Sequence, residues 1–347
     1  MRLQSSKRAS RISSTVVKSA LFASALAVVL APGSADACAC GCGIFDVGAQ
    51  SLPENTELLA YFRYSYMNQN ANWEGTSKAP AIDNGDKWIN TSFYTVGADY
   101  VLNDNWMVMG ELPVFARQLE TTDNGGVVTG VNNEVYTGHL TDLGDAQLQA
   151  LYTGLSSDMS TGLGFGIKLP TGDYSGPYSA LGGQEFDRDS LPGTGSTDLI
   201  FSFYHTGAFT NDQTFGYFVQ ARYQLAVLTR DSYRPGNELD AAAGLNYDFG
   251  AAGFLDKVGV VLQTLGSYRE NDTGANADPL NSGYRRLFIA PGADLQIRNF
   301  RIYTDVELPV YQDTNAVWNG GPSVAAGGTK GQLVASALYK VELSYAL

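Results

Sequence analysis

The feature that most constrains the fold of this chain is a series of twelve segments in which apolar and polar residues alternate. A period of two residues is typical of β-strands, because successive side chains of a strand point to opposite faces of the sheet. The segments cover residues 57–67, 87–102, 106–119, 143–155, 160–172, 196–208, 214–228, 238–249, 257–269, 284–297, 300–312 and 332–347.

The connections between these segments are alternately short and long. The short ones cover 103–105, 156–159, 209–213, 250–256 and 298–299, and the long ones cover about 68–86, 120–142, 173–195, 229–237, 270–283 and 313–331. Short periplasmic turns and long extracellular loops are typical of outer-membrane barrels. A soluble β-sandwich, the alternative, has no reason to place every long loop at one end. We therefore predict an all-β, transmembrane, antiparallel up-and-down β-barrel of twelve strands over residues 57–347, in the outer membrane of a Gram-negative bacterium.

The two faces of the predicted strands differ in the way that a barrel requires. Segment 214–228 has Phe215, Tyr217, Val219, Ala221, Tyr223, Leu225 and Val227 on one face and Gly216, Phe218, Gln220, Arg222 and Gln224 on the other. The first face is apolar enough for lipid, and the second suits a polar lumen. Closure of the sheet would satisfy every backbone hydrogen bond within the membrane.

The first 37 residues have the pattern of a secretory signal peptide. Five basic residues precede an apolar stretch over 19–31, which is too short to span a membrane, and Ala35-Asp36-Ala37 is an A-x-A cleavage site. A retained amphipathic helix is the alternative. We expect three parts: the signal over 1–37, a cysteine-rich periplasmic segment over 38–56, and the barrel.

Charge restricts the partners of the mature chain. Residues 1–37 hold five of the 22 basic and one of the 35 acidic residues, which leaves 17 against 34 and a net charge of −17. So acidic a surface argues against nucleic acid and against anionic lipid headgroups as electrostatic partners. The expected partners are outer-membrane lipid, a small-molecule solute and the barrel-insertion machinery. The machinery would recognise a last strand in which Val341, Leu343, Tyr345 and Leu347 alternate with Lys340, Glu342, Ser344 and Ala346.

Several motifs resemble an outer-membrane barrel family described as transporters of the phenol-degradation meta-pathway. They are Leu143-Gly144-Asp145, Gly166-Ile167-Lys168-Leu169-Pro170-Thr171-Gly172-Asp173, Leu191-Pro192-Gly193-Thr194-Gly195-Ser196-Thr197-Asp198, Tyr233-Arg234-Pro235-Gly236-Asn237-Glu238, Pro291-Gly292 and Glu307-Leu308-Pro309-Val310-Tyr311-Gln312. The resemblance implies a barrel and a transport role. Phenolic substrates do not follow from it.

Charged residues of both signs fall on the predicted lumen face. Cross-strand pairs among them could stiffen a narrow barrel, or the charges could set a selectivity field along a water-filled pore. A barrel of twelve strands is wider than one filled by its own side chains and narrower than a general porin. The candidate selectivity residues are Arg63, Asp99, Glu111, Arg117, Lys168, Arg222, Asp240, Arg301, Asp305 and Glu307.

The three cysteines of the chain, Cys38, Cys40 and Cys42, stand together at the expected mature N-terminus. Their thiolates could bind a soft metal such as Cu(I) or Zn(II), or form a disulfide. Lipidation of Cys38 and a silent tail are further alternatives, although Ala35-Asp36-Ala37 lacks the residues of a lipobox. No other cofactor is expected.

No catalytic site is predicted. His139 falls in a long connection and His205 near the periplasmic end of a strand, and neither is flanked by a nucleophile motif. The sequence therefore favours an outer-membrane channel for passive, selective passage of small solutes. The alternative is a barrel scaffold whose cysteine cluster binds a soft metal or a periplasmic redox partner.

Overall fold

The computed structural model describes residues 44–54, 56–121, 135–174, 188–315 and 331–347. Fourteen strands form one antiparallel sheet. Their bounds are β1 (Leu58–Glu74), β2 (Ser77–Lys78), β3 (Asp86–Asn103), β4 (Trp106–Thr121), β5 (Tyr136–Leu143), β6 (Gln147–Tyr152), β7 (Thr161–Lys168), β8 (Thr197–Ala208), β9 (Phe215–Leu228), β10 (Glu238–Asp248), β11 (Lys257–Arg269), β12 (Tyr284–Ile297), β13 (Phe300–Thr314) and β14 (Gln332–Ala346).

The sheet closes on itself. Strand β14 pairs with β13 on one side and with β1 on the other, from Leu59 opposite Ala346 to Trp73 opposite Gln332. Strand β2 is a two-residue addition to β1, and β5 and β6 are two parts of one pass because both pair with β4. Twelve passes remain, so the predicted closed antiparallel barrel is confirmed.

The predicted continuous strand over 143–155 is wrong. The chain instead forms β5 and β6, with a break at Gly144-Asp145-Ala146 opposite Pro113 of β4. Proline has no N–H to donate to the sheet, so the neighbouring strand leaves the regular ladder there. The N–H of Gly144 donates to the carbonyl of Pro113 at 2.8 Å. Strand β5 also places His139 in a strand and not in a loop.

Two other prolines interrupt the sheet. Strand β7 ends at Lys168, four residues before its predicted end, and Pro170 follows. Pro309 pairs with Phe288 at a shift in the register between β12 and β13. These positions agree with proline as a residue of strand ends and bulges.

Burial alternates along the strands as a lipid-facing wall requires. In β9, Val219, Tyr223 and Val227 are exposed, whereas Gln220 and Arg222 are buried. The exposed apolar side chains are spread around the wall and include Phe62, Tyr94, Val96, Leu148, Phe165, Phe201, Leu239, Leu245, Val260, Leu262, Leu287, Ile302, Val310, Tyr339, Val341 and Leu343. Exposure of so many large apolar groups is expected where the solvent is lipid.

The short turns lie at the end of the barrel that is periplasmic in proteins of this architecture. In the turn between β6 and β7, hydrogen bonds from Ser160 and Ser156 lower the pKa of Asp158 to about 2.

None of the helices in the described part of the chain has the length and apolar character that a transmembrane helix needs.

Candidate functional site: the barrel lumen

A stretch of chain ahead of the first strand lies inside the barrel. We call residues 44–54 the lumen segment. The N–H of Gly48 donates to the side chain of Gln220 on β9 at 2.6 Å, and the N–H of Ala49 donates to Gln263 on β11 at 3.0 Å. These lumen-facing amides satisfy backbone groups of the segment that have no strand partner.

Phe45 anchors the lumen segment. Its side chain is fully buried, and its ring meets the edge of Phe288 at a centroid distance of 5.3 Å. The guanidinium of Arg286 lies 4.6 Å from the centre of the same ring. An apolar cluster therefore crosses an otherwise polar lumen, and Val47 and other side chains of the segment belong to it.

The expected periplasmic position of residues 38–56 needs correction over the lumen segment. At its C-terminal end, Glu54 accepts a hydrogen bond from Arg301 near the periplasmic turns. At its other end, Ile44 lines a cavity on the extracellular side. The segment thus enters the barrel, because Phe45 and Val47 bury apolar surface there that the periplasm would leave in water.

All ten candidate lumen residues are largely buried, and most lie in ion pairs. Arg63 contacts Glu342 at 2.8 Å and Glu111 at 3.6 Å. Further pairs join Lys168 to Asp145 and Asp198, Arg222 to Asp46, Arg301 to Asp294 and Glu54, and Lys340 to Glu307. Most of these pairs join neighbouring strands of the wall, and those of Asp46 and Glu54 tie the lumen segment to the wall.

Four of the ten candidates stand outside those contacts. Asp305 accepts hydrogen bonds from Tyr303 and Gln263 at 2.8 and 3.0 Å. Asp99 lines a small cavity beside Arg63, and Asp240 is buried opposite Arg222 in the β9–β10 ladder. Arg117 differs from the other cations, because it donates to the hydroxyl of Thr91 and to the carbonyl of Ser190.

The lumen segment divides the interior into cavities. On the extracellular side is a cavity of about 190 Å³, and on the periplasmic side one of about 300 Å³. Two small cavities of about 30 and 50 Å³ lie beside the segment. Asp46 lines the extracellular cavity and both small ones, and Pro53 lines the 50 Å³ cavity and the periplasmic one.

The histidines take ordinary positions in the wall. His205 on β8 lies within hydrogen-bond distance of Thr161 and Tyr217, and His139 is exposed on β5. Among the described residues there is no group of three or more His, Cys, Asp or Glu that could hold a metal. Cys38, Cys40 and Cys42 lie outside the described residues.

Sequence reasoning missed several lumen residues that come from loops. Arg188 and Tyr233 lie in predicted extracellular connections and still line the extracellular cavity. Asp46 belongs to the segment for which the sequence predicts a periplasmic position, and it also lines this cavity. Alternation along strands cannot find such residues, but a basic residue three positions ahead of the Leu191-Pro192-Gly193 motif was a usable signal.

Comparison with known proteins gives a fold and no family. No family model matches the chain, and no curated protein matches it. A crystal structure of an outer membrane channel from Pseudomonas putida F1 superposes with a TM-score of 0.59 and 8% identity, over 88% of this chain and all of that one. The Ralstonia pickettii toluene transporter TbuX gives a TM-score of 0.40 at 9% identity, over 85% of this chain and 90% of that one, which is too distant to bear on function. The closed wall, its apolar exterior and the first of these similarities define an outer-membrane β-barrel.

Proposed function

We propose that this barrel is a channel for passive passage of small solutes across the outer membrane. The observation that carries the proposal is the series of cavities along the lumen segment. The extracellular cavity, the 50 Å³ cavity and the periplasmic cavity follow one another and share lining residues, first Asp46 and then Pro53. Small movements of these two residues would join the cavities into one path.

Asp46 lies where the extracellular cavity meets the 50 Å³ cavity. Its carboxylate contacts Arg222 at 3.4 Å and accepts a hydrogen bond from Gln147 at 3.4 Å. Both distances are long for charge-assisted contacts, so they hold the carboxylate weakly. Water and small solutes can compete for them, whereas the tight pairs at Arg63 and Lys340 keep the surrounding wall rigid.

Selectivity would come from size and from the charged lining. The cavities beside the lumen segment hold only a few water molecules' volume, which excludes large solutes. Beside the path, Arg63, Asp99 and Glu111 line the 30 Å³ cavity, and Glu111 also lines the extracellular cavity. Transport is also the role that the sequence motifs imply, and the outer membrane channel from Pseudomonas putida F1 shares the fold.

Conductance in planar bilayers tests this proposal. Purified wild-type protein should give small single-channel conductances, and liposomes that contain it should swell in small solutes and not in large ones. A double variant Phe45→Ala/Val47→Ala should conduct more, because the lumen segment loses its anchors. Absence of conductance and of swelling for both proteins, with folded barrels confirmed by heat-modifiable electrophoresis, would rule out a channel.

A second candidate function is a barrel scaffold whose cysteines bind a soft metal or a redox partner. The observation that favours it is the close spacing of Cys38, Cys40 and Cys42. Replacement of all three by serine distinguishes the two functions. Loss of bound Cu(I) or Zn(II) with unchanged flux would support the scaffold role beside the channel. Absence of metal from wild-type protein expressed in metal-supplemented medium would count against it.

A further inference from the structure

On the extracellular side of the lumen, the buried Arg117 and the half-buried Arg188 lack the acidic partner that neighbouring cations have among the described residues. Arg63, Lys168, Arg222, Arg269, Arg301 and Lys340 each form an ion pair with a carboxylate. Within the described ranges, Arg117 and Arg188 form none, although the mature chain is acidic. Removing a guanidinium from water without a neighbouring anion costs free energy. Both positions therefore favour an anionic ligand.

Arg117 is held by neutral groups only. It is 6% exposed, its Nε donates to Thr91 Oγ1 at 3.0 Å, and its Nη1 donates to the carbonyl of Ser190 at 2.5 Å. A guanidinium has five N–H donors in one plane. These two contacts orient the group and leave donors available on the side of the extracellular cavity that Arg117 lines.

Arg188 lies two residues before Ser190 and lines the same cavity. Its guanidinium packs over Tyr233 at 5.1 Å and over Tyr174 at 4.7 Å, and Nη2 donates to the carbonyl of Thr194 at 3.3 Å. Its Nε is buried and has no hydrogen-bond partner among the described residues. The tyrosine rings stabilise the cation without neutralising it.

A third arginine extends this arrangement to the outside. The exposed Arg230 packs 5.7 Å from the centre of the Tyr174 ring and donates to the Tyr174 hydroxyl at 3.4 Å. Arg230 and Arg188 therefore share one ring. Arg230, Arg188 and Arg117 form a row of guanidiniums from the exposed mouth to the buried cavity, and such a row attracts anions.

The carboxylates that line this cavity are already engaged. Glu111 pairs with Arg63, Asp145 pairs with Lys168, and Asp46 pairs with Arg222. Glu238 accepts hydrogen bonds from Ser267 and Tyr284. Counting only the residues that the structure describes, Arg117 and Arg188 are thus the charged groups that have no ion-pair partner on the β4 side of this cavity.

The wall of the cavity beside Arg117 is apolar, so this part of the cavity favours an apolar group of the ligand. Phe93 and Phe115 meet edge to face at a centroid distance of 4.9 Å, and Leu191 and Pro192 complete this part of the lining. A planar ring packs well against such a surface. The volume of about 190 Å³ is below the roughly 300 Å³ of the smallest drug-sized pockets. It accommodates a solute with a single ring.

We propose that the extracellular cavity binds a small organic anion, a carboxylate attached to one planar ring. Arg117 and Arg188 bind the carboxylate, Phe93 and Phe115 contact the ring, and Arg230 with Tyr174 guides the anion inward. The binding site deepens the proposed channel function, on which its role in passage rests. Benzoate is the simplest probe of this class.

Calorimetry on the detergent-solubilised full chain tests the site without any flux. Benzoate should bind, and benzyl alcohol and benzylamine, which keep the ring and change the charge, should not. Arg188→Gln and Arg117→Gln should each weaken benzoate binding about tenfold, because each removes a charge-assisted hydrogen bond. Arg285→Gln is the matched control: it removes an arginine of the same barrel end whose side chain is 65% exposed on the outer face.

Equal binding of the three probes, or no benzoate binding by the wild-type protein, would overturn the proposal. The wild-type comparison needs no variant, so it stands even where Arg117→Gln impairs folding. Arg188→Lys adds a further check, because lysine keeps the charge and loses the planar fork. Affinity between that of wild type and Arg188→Gln is expected. Full affinity in both Arg188 variants would contradict a role for Arg188.

Reversal potentials in a salt gradient separate this site from the channel function. Wild-type channels should prefer benzoate and chloride over potassium, and Arg117→Gln/Arg188→Gln should lower that preference. Benzoate binding without any conductance would refute the proposed channel function and would still support the proposed anion-binding site. Conductance without benzoate binding, or with unchanged ion preference in the double variant, would refute the site and keep the channel.

Discussion

The carboxylate of Asp46 lies 3.4 Å from the guanidinium of Arg222, and this contact ties the lumen segment to strand β9. Arg222 is almost fully buried, and Asp46 is 24% exposed. Arg222 also donates to Gln147 at 2.6 Å and to Gln224 at 3.0 Å, so β9 and β6 are joined at the same point where the segment is attached. The contact thus fixes to the wall a residue that lines three of the lumen cavities.

Breaking this contact should loosen the lumen segment more than the barrel. We expect Asp46→Asn to raise single-channel conductance and to lower the free energy of unfolding by about 1 kcal/mol or less, since Asp46 is partly exposed. Bilayer recordings and urea unfolding in lipid vesicles would measure the two effects. Glu54→Gln serves as the control, because it removes a carboxylate of the same segment that lines the periplasmic cavity and not the cavities at Asp46. Equal conductance changes in the two variants would contradict the special role of Asp46.

We expect the side chain of Phe45 to hold the lumen segment inside the barrel. Phe45→Ala removes a fully buried ring that packs on Phe288 and under Arg286. Loss of a buried phenylalanine costs about 3–5 kcal/mol in a packed core. We expect the segment to become sensitive to protease added on the side of the short turns, while the heat-modifiable barrel persists. Ile44→Ala, which is only partly buried, should have a smaller effect, and equal sensitivity in both variants would be evidence against Phe45 as the anchor.

The ion pair between Lys340 on β14 and Glu307 on β13 should contribute strongly to barrel stability. Their side chains are 1% and 0% exposed, and the contact is 2.8 Å. Lys340→Met would leave a buried carboxylate without its cation, which costs about 3–5 kcal/mol. The double variant Lys340→Met/Glu307→Leu should recover much of that loss, because Glu307 is then no longer a buried carboxylate without its cation. Urea unfolding in lipid vesicles measures both.

The Lys257–Asp294 pair provides the control for this prediction. Its lysine is 34% exposed, so Lys257→Met should cost less than about 1 kcal/mol. If Lys340→Met proved no more destabilising than Lys257→Met, the pair at Glu307 would not be a stabilising feature of the wall.

Gly193 should tolerate no side chain. A Cβ there would lie 2.3 Å from the carbonyl oxygen of Gly172, and that neighbour is backbone, which cannot rotate away. Gly193→Ala should therefore displace the 191–194 stretch that lines the extracellular cavity and should weaken benzoate binding. Gly110→Ala is the matched control, since its nearest neighbour would be a Leu148 methyl at 3.7 Å. Normal benzoate binding by Gly193→Ala would show that this close approach does not shape the cavity.

The strand pattern was predictable because lipid imposes one rule on every pass. The outward residues of β9 and β10 alternate in the sequence as they do in the structure, since each strand must present apolar groups to lipid and polar groups to the lumen. The break between β5 and β6 was missed for a different reason. The break arises from Pro113 on a neighbouring strand, so no local sequence pattern around residue 145 predicts it.

The candidate site was predictable only in its wall residues. All ten candidates face the interior, because their orientation follows from alternation alone. Arg188, Tyr233 and Asp46 were missed as lining residues, because loops and the lumen segment have no period from which an orientation can be read.

By itself the sequence determined that the chain is an outer-membrane barrel of twelve passes with a polar interior. Period-two alternation and the spacing of turns are local properties, and lipid makes them sufficient to define the sheet. Only the tertiary structure decided what fills the interior. Phe45 reaches Phe288, and Arg117 lies beside the 188–190 turn, through contacts between parts of the chain that are far apart in sequence. Such contacts depend on closure of the sheet, which brings those side chains together in one lumen.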